Sequence, residues 1–245
     1  MGAIFAVVGL AIGSFLNLCI DRVPANRSLI RPSSHCEVCG HKLAPWDLIP
    51  LLSYLLLRGK CRYCRAAIPA RLPLVEVGTA LLFLLLWHHY GLSAQLAPAL
   101  AFACFFIVIS VIDLEHRLIP NRVVYPAIAV AFLAALLTPN PGILDALLGG
   151  VTGLGVLLLL VLIIPRGMGM GDVKFSALIG LIVGFPSVFV ALFISFVLGG
   201  VIAVVLLVVG LKKRGEFVPF APFLATGGIA AMLYGEQILR LYLGT

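Results

Sequence analysis

VFVALFISFVLGGVIAVVLLVVGL, residues 188–211, carries one hydroxyl group and no charge over 24 positions. As a helix rising about 1.5 Å per residue, it exceeds the roughly 30 Å hydrocarbon core of a bilayer. Residues 153–164, GLGVLLLLVLII, repeat the pattern upstream. The chain as a whole agrees. Of its 245 residues, 62% are hydrophobic and 11% charged, with a mean hydropathy of +1.17. Soluble domains carry about 25% charged residues. The composition excludes that class and implies an all-α polytopic membrane protein.

Working outward from these runs, eight spans are expected, near 2–20, 74–87, 95–112, 122–137, 144–164, 173–183, 188–211 and 220–241. The sixth is short and reads also as half of a pair with the seventh, split at Gly184-Phe185-Pro186. The first is not read as a secretory signal, because no basic residue precedes it; the first Lys or Arg is Arg22. It is a retained span with its N-terminus outside. The expected organisation is a first helix (1–20), a hydrophilic loop domain (21–73) and a seven-helix membrane domain (74–245).

The basic residues test this arrangement. Nine of the 17 Lys and Arg fall in 21–73; Arg117, Arg122, Arg166, Lys174, Lys212, Lys213 and Arg214 fall on the same face, and only Arg240 on the other. By the positive-inside rule that face is cytoplasmic. The net charge of +7 is therefore a topological signal, one that also favours anionic lipid headgroups and needs no nucleic-acid partner.

The loop 21–73 contains CEVC (Cys36 and Cys39) and CRYC (Cys61 and Cys64), 21 residues apart. Each CxxC places two thiolates on one tight turn, and the two turns together make a tetrahedral S4 site suited to structural Zn²⁺. Gly40 and Gly59-Lys60 supply turn residues. Two disulfides or four thiols are the alternatives; a reducing cytoplasm disfavours the disulfides. His35 and His41 are substitute ligands to weigh, whereas Cys19 and Cys104, inside apolar spans, read as small hydrophobes.

Asp113 ends the run FFIVISVID and Asp172 opens GDVKFSALIGLIVGF. Taken singly, each reads as an interfacial or helix-capping residue. Taken together, they fall at the cytoplasmic ends of two spans and can meet at one depth. Two carboxylates in a site of low dielectric share a proton; one can then accept a proton from water while the other donates to a scissile carbonyl. Gly169 and Gly171 allow close backbone approach to Asp172, and Pro120 and Asn121 break the chain after Asp113. Glu115, His116 and Lys174 either tune the pair or are solvated loop residues.

These residues bring a family into view. GLAIGSFLNLCIDRVP (9–24), both CxxC pairs, IPLLSYLLLRGKCRYC (49–64), LPLVE (72–76), IDLEHRLIPN (112–121), GMGMGDVK (167–174) and PFAPFLATGG (219–228) together resemble the bacterial type IV prepilin peptidases. The resemblance covers essentially the whole chain. GxGD alone is shared with presenilin-like proteases; its combination with the tetracysteine loop and GSFLN is specific.

The resemblance implies a bacterial inner-membrane aspartic endopeptidase that removes the basic leader from type 4 prepilins and type II secretion pseudopilins. The family's catalytic aspartates fall on Asp113 and Asp172, and its zinc ligands on Cys36, Cys39, Cys61 and Cys64. Many members also methylate the new N-terminus with S-adenosylmethionine, for which the sequence offers no glycine-rich strand-to-helix fingerprint. The basic loop would repel a basic leader unless acidic lipids, or Glu37, Asp47 and Glu76, offset the charge. Three departures from the family pattern stand out: a short stretch between Pro24 and Cys36, Ala221 where glycine is common, and Asn121 where aspartate is common. An ion-coupled transporter and a zinc-bearing scaffold are the competing classes. The first predicts substrate-dependent uptake; the second predicts function without either aspartate.

Overall fold

The computed structural model describes residues 1–164, 168–213 and 218–244. Arg166, Gly167 and Arg214, counted above among loop charges and motif glycines, lie outside the described residues. Nine α-helices are present among them: α1 (Gly2–Arg22), α2 (Leu52–Leu56), α3 (Arg71–Tyr90), α4 (Leu96–His116), α5 (Asn121–Leu137), α6 (Ile143–Ile163), α7 (Met170–Val183), α8 (Ser187–Val208) and α9 (Ala221–Leu243). Eight coincide with the expected spans, and α2 is a five-residue helix within the loop. By length and composition α1, α3, α4, α6 and α8 suffice to cross a membrane, and α5 is a shorter apolar helix. The only extended pairing among the described residues is two isolated bridges, His35 with Lys42 and Lys60 with Ala67.

The chain divides into two compact units, Met1–Val108 and Ile109–Thr245. In the first, α1 packs on α3. A Cβ at Gly9 would stand 2.6 Å from the Ala80 Cα, and one at Gly13 would stand 2.7 Å from the Glu76 Cα. Small residues four apart thus bring two antiparallel helices into backbone contact, the close approach that replaces hydrophobic driving force inside a bilayer.

The second unit is organised around α7, which packs against α5, α6, α8 and α9. At 14 residues it rises only about 21 Å, too short to span alone. Nine of those residues are buried, so neighbouring helices rather than lipid surround it. Here again glycine sets the distance. A Cβ on Gly149 would collide with the Gly180 carbonyl oxygen, one on Gly180 with that of Gly149, and one on Gly153 with that of Ser176. The Ser176 hydroxyl donates to the Gly153 carbonyl across the same contact. The short sixth span is a helix of its own: α7 stops at Gly184, whose φ of +72° favours glycine, and Pro186 precedes α8.

Gly180→Val should lower the thermal midpoint in detergent by an amount equivalent to about 1–3 kcal/mol, the usual cost of overpacking. Gly155→Val, where an added Cβ meets nothing within 4 Å, should leave it nearly unchanged. Equal midpoints for the two variants would show that the α6–α7 glycine contact does not set stability.

Candidate active site and metal centre

The two cysteine knuckles repeat one local geometry. The Cys36 N–H donates to the His41 carbonyl (2.9 Å) and the Gly40 N–H to the Cys36 carbonyl (2.8 Å); likewise Cys61 N–H to Ala66 (2.8 Å) and Arg65 N–H to Cys61 (3.0 Å). Each turn needs a left-handed residue after its second cysteine. Gly40 supplies it at φ +69°, but in the second knuckle Arg65 holds φ +62°, a conformation that costs a residue with a Cβ about 1 kcal/mol.

The four Sγ atoms lie within 4.8 Å of one another, with Cys36 Sγ and Cys64 Sγ 3.8 Å apart. A tetrahedron with Zn–S bonds of about 2.3 Å has edges of about 3.8 Å. A disulfide needs roughly 2.05 Å, and all four cysteines are free. The donor set therefore fits Zn²⁺. The N–H groups of Cys39 and Val38 aimed at its sulfur bring the Cys36 thiol down to about 6. Cys64 is helped by the Ala66 N–H, yet desolvation and the crowding sulfurs of Cys39, Cys61 and Cys36 push it up to about 11. Four sulfurs this close share protons that a divalent cation would displace. Neither histidine joins them. His35 Nδ1 pairs with the Ser33 carbonyl (3.0 Å), and the His41 ring lies on that of Tyr63, centroids 3.6 Å apart.

Asp47 fastens the second knuckle to the 3-10 turn at Pro45–Leu48. Its carboxylate accepts Arg62 Nε at 2.7 Å, the Tyr63 hydroxyl at 3.3 Å and the Ala44 N–H at 3.2 Å.

The aspartates occupy the last turn of α4 and the first turn of α7. The helix continues three residues past Asp113, to His116. Both side chains are buried, Asp113 3% and Asp172 4% exposed, and the Asp113 charge acts on the Asp172 carboxyl. Their partners are backbone amides at helix starts, where unpaired N–H groups favour anions. Asp113 Oδ2 accepts the Ala221 N–H of α9 at 3.0 Å, and the Phe220 N–H also points at that carboxylate. Asp172 Oδ2 accepts the Gly169 N–H at 3.2 Å, capping its own helix. The capping role expected of Asp172 taken singly is thus filled by one oxygen. The other, Oδ1, is buried without a hydrogen-bond partner among the described residues.

The surrounding residues have defined tasks. A Cβ on Gly171 would stand 2.9 Å from the Ile119 Cβ, so the glycine admits the α4–α5 connection against the start of α7. Gly169 has the extended backbone that any residue adopts (φ −87°, ψ 152°). Lys174 is not a solvated loop residue: its Nζ donates to Asn121 Oδ1 (3.0 Å) and the Tyr125 hydroxyl (3.4 Å), tying α7 to α5. Glu115 and His116 are exposed at the end of α4. Sequence reasoning quoted PFAPFL but gave it no task. Its main-chain amide holds Asp113, and the legible signal was the proline pair Pro219 and Pro222 bracketing a helix start.

Residues 7–90 match the bacterial peptidase A24 N-terminal domain and residues 100–204 the type IV leader peptidase family. A "Prepilin leader peptidase/N-methyltransferase" of Bacillus subtilis (strain 168) is 35% identical over 243 residues, 99% of this chain and 98% of the relative. The chain belongs to the type IV leader peptidase family. Proteins of the same name from Pseudomonas aeruginosa (strain PAO1) and Stutzerimonas stutzeri are 35% and 34% identical, over 97% of this chain and 91% and 92% of their own lengths. No solved structure matches. Of the family-pattern departures, the one at residue 221 is explained: the contact to Asp113 comes from the main chain, and α9 has room for the alanine, which is fully buried.

The purified protein should carry one zinc per chain by elemental analysis, and Cys39→Ser should lose most of it. Arg65→Gly should keep the metal and raise the thermal midpoint by the equivalent of about 0.5–1 kcal/mol, the strain released. Full metal content in Cys39→Ser would contradict a four-sulfur site.

Proposed function

We propose that this chain is an aspartic endopeptidase of the bacterial inner membrane that cleaves the basic leader from type 4 prepilins and type II secretion pseudopilins, with Asp113 and Asp172 as its catalytic pair. The observation that carries this reading is a buried pair of carboxylates, one of which keeps an oxygen, Asp172 Oδ1, without a partner. A buried acceptor left open in an otherwise bonded site is where a reacting group belongs. By charge topology the pair faces the cytoplasm and the N-terminus lies outside. Residues 21–73 then form a cytoplasmic zinc-binding domain between the first helix (1–20) and the seven-helix peptidase part (74–245), with Cys36, Cys39, Cys61 and Cys64 as ligands. A full set of four sulfurs leaves no open position on such a metal, so its contribution is structural.

The hydrogen bonds divide the chemical labour. Asp113 receives amides from the start of α9, which stabilise a carboxylate and suit it to take the proton of the attacking water. Asp172, with a bare oxygen, suits the protonated partner and donates to the scissile carbonyl oxygen. Water then adds to the carbonyl carbon; the proton held by Asp113 passes to the leaving amine as the C–N bond breaks, and a hydroxyl proton of the diol returns to Asp172 as the new carboxyl group forms. Because a helical peptide bond has its carbonyl and amide engaged, the cleavage region must unwind before it is cut. Asp47 does not serve to offset the basic leader, because it is committed to Arg62, and Glu76 is buried away from a leader held in water. Exposed Glu37 and anionic lipid remain for that task.

The names of the relatives pair cleavage with N-methylation, and we extend both activities to this chain, with S-adenosylmethionine as the methyl donor implied by the resemblance. Among the described residues there is no strand beyond two isolated bridges, hence no strand-to-helix glycine turn for an adenosyl group.

In liposomes, Asp113→Asn and Asp172→Asn should each lower cleavage of a prepilin with an intact leader by at least about 100-fold, within the range for loss of an acid–base group. A folded Asp172→Asn variant that still cuts would end the paired-carboxylate reading. Gly171→Ala should cut more slowly, and Ile119→Ala in the same chain should restore part of the rate, because it removes the atoms the new methyl group meets.

A further inference from the structure

The first unit contains a polar cluster that leader cleavage leaves without a task. Glu76 and Asn17 are buried between apolar helices, 7% and 5% exposed. Each lies five residues inside its helix, Asn17 before the end of α1 and Glu76 after the start of α3. Both are therefore about 7.5 Å deep from the loop-bearing end. The Ser14 hydroxyl bonds to the Glu76 carboxylate, whose Oε2 also accepts the Leu51 N–H at 2.7 Å. Leu51 is held at φ +59°, ψ −47°, a strained backbone for a residue with a Cβ, so this bond works against a backbone cost.

The Asn17 amide is oriented by its own bond. Nδ2 donates to the Leu72 carbonyl at 3.0 Å, one turn before Glu76, and Oδ1 is buried with no partner among the described residues. Glu76 has no ion-pair partner among them either. Among the described residues three buried side-chain atoms lack partners: Asn17 Oδ1, Ser110 Oγ and the Asp172 Oδ1 already discussed. A serine hydroxyl on a helix can rotate toward a carbonyl four residues back; an amide oxygen has no such recourse. The cluster thus carries a carboxylate and a bare amide oxygen, and no cation among the described residues pairs with either. Leaving an amide oxygen bare is costly in an apolar setting. What completes it is a compact cation with several N–H groups.

We infer that Ser14, Asn17 and Glu76 form a binding site for a primary ammonium group, which presents three donors to three side-chain oxygens. The inference rests on the proposed function for its two sources. Cleavage creates a new α-amino terminus at the membrane interface, and the methyl donor carries an α-amino group of its own. A site that holds either amine would serve the second, methylating activity.

The test uses the full-length protein in detergent and measures binding of four probes. Two are peptides of the mature substrate terminus, one with a free amine and its N-acetylated twin. Two are S-adenosylmethionine and its analogue lacking the α-amino group. Glu76→Gln should weaken the free-amine peptide at least tenfold and leave the acetylated twin unchanged, which assigns the site to the substrate. Loss confined to S-adenosylmethionine, with the deaminated analogue unaffected, assigns it to the donor's ammonium. Asn17→Ala should reproduce the loss; it also gives up the Nδ2 bond to the Leu72 carbonyl, so binding is compared at a temperature where thermal unfolding shows the variant still folded. Affinities unchanged by both variants, or reduced equally for amine and amine-free probes, overturn the inference. Leader cleavage by the wild-type protein is followed alongside: if it is absent, the peptidase reading fails, and if it is present with amine-blind binding, only the ammonium site does.

Discussion

Lipid tails offer no hydrogen bonds, so every polar group in this bundle must find its partner in the protein. That constraint explains where the carboxylates sit. Asp113 is met by amides at the start of α9, Asp172 by the amide that opens its own helix, and Glu76 by the Leu51 amide after a 3-10 turn. In each case the donor is main chain that a regular helix would leave unused. Hydroxyls inside the helices obey the same rule and return to carbonyls four residues back, Thr79 to Val75 and Ser195 to Ala191. Against this background, the buried side-chain atoms without a partner among the described residues are Asp172 Oδ1, Asn17 Oδ1 and Ser110 Oγ.

Close packing supplies the second condition. Gly149, Gly153 and Gly180 draw α6 against α7 until their backbones touch, and Gly9 and Gly13 do the same for α1 and α3. These contacts let α7 be short. A helix enclosed by four others has no need to match the bilayer, and its first turn can sit within the bundle with a carboxylate on it. Gly171 extends the logic to the connection after α4 by leaving room for Ile119. The two glycines that precede the aspartate therefore differ in kind: Gly171 is required by a neighbour, whereas Gly169 contributes an amide that any residue but proline would supply.

Much of this was legible in the sequence. Uninterrupted apolar runs of bilayer length are hard to produce by any other fold, so all eight membrane helices could be placed to within a few residues. The CxxC spacing is local chemistry and likewise survives translation from sequence to structure. What escaped depends on contacts between distant segments. Lys174 looked like a loop charge because Asn121 and Tyr125 are about fifty positions away. Asp47 and Glu76 looked like free acids for the same reason. The amide at Ala221 could not be read from its side chain at all, since the contribution comes from the main chain at a helix start. Leu51 and Arg65, ordinary in sequence, adopt left-handed backbone that only three-dimensional context demands.

The hold of α9 on Asp113 links chemistry to the order of synthesis. The carboxylate is translated more than a hundred residues before the amide that receives it, so a nascent chain lacks that partner until its last helix enters the membrane. The contact that holds Asp113 is therefore available only to a chain whose last helix is in place.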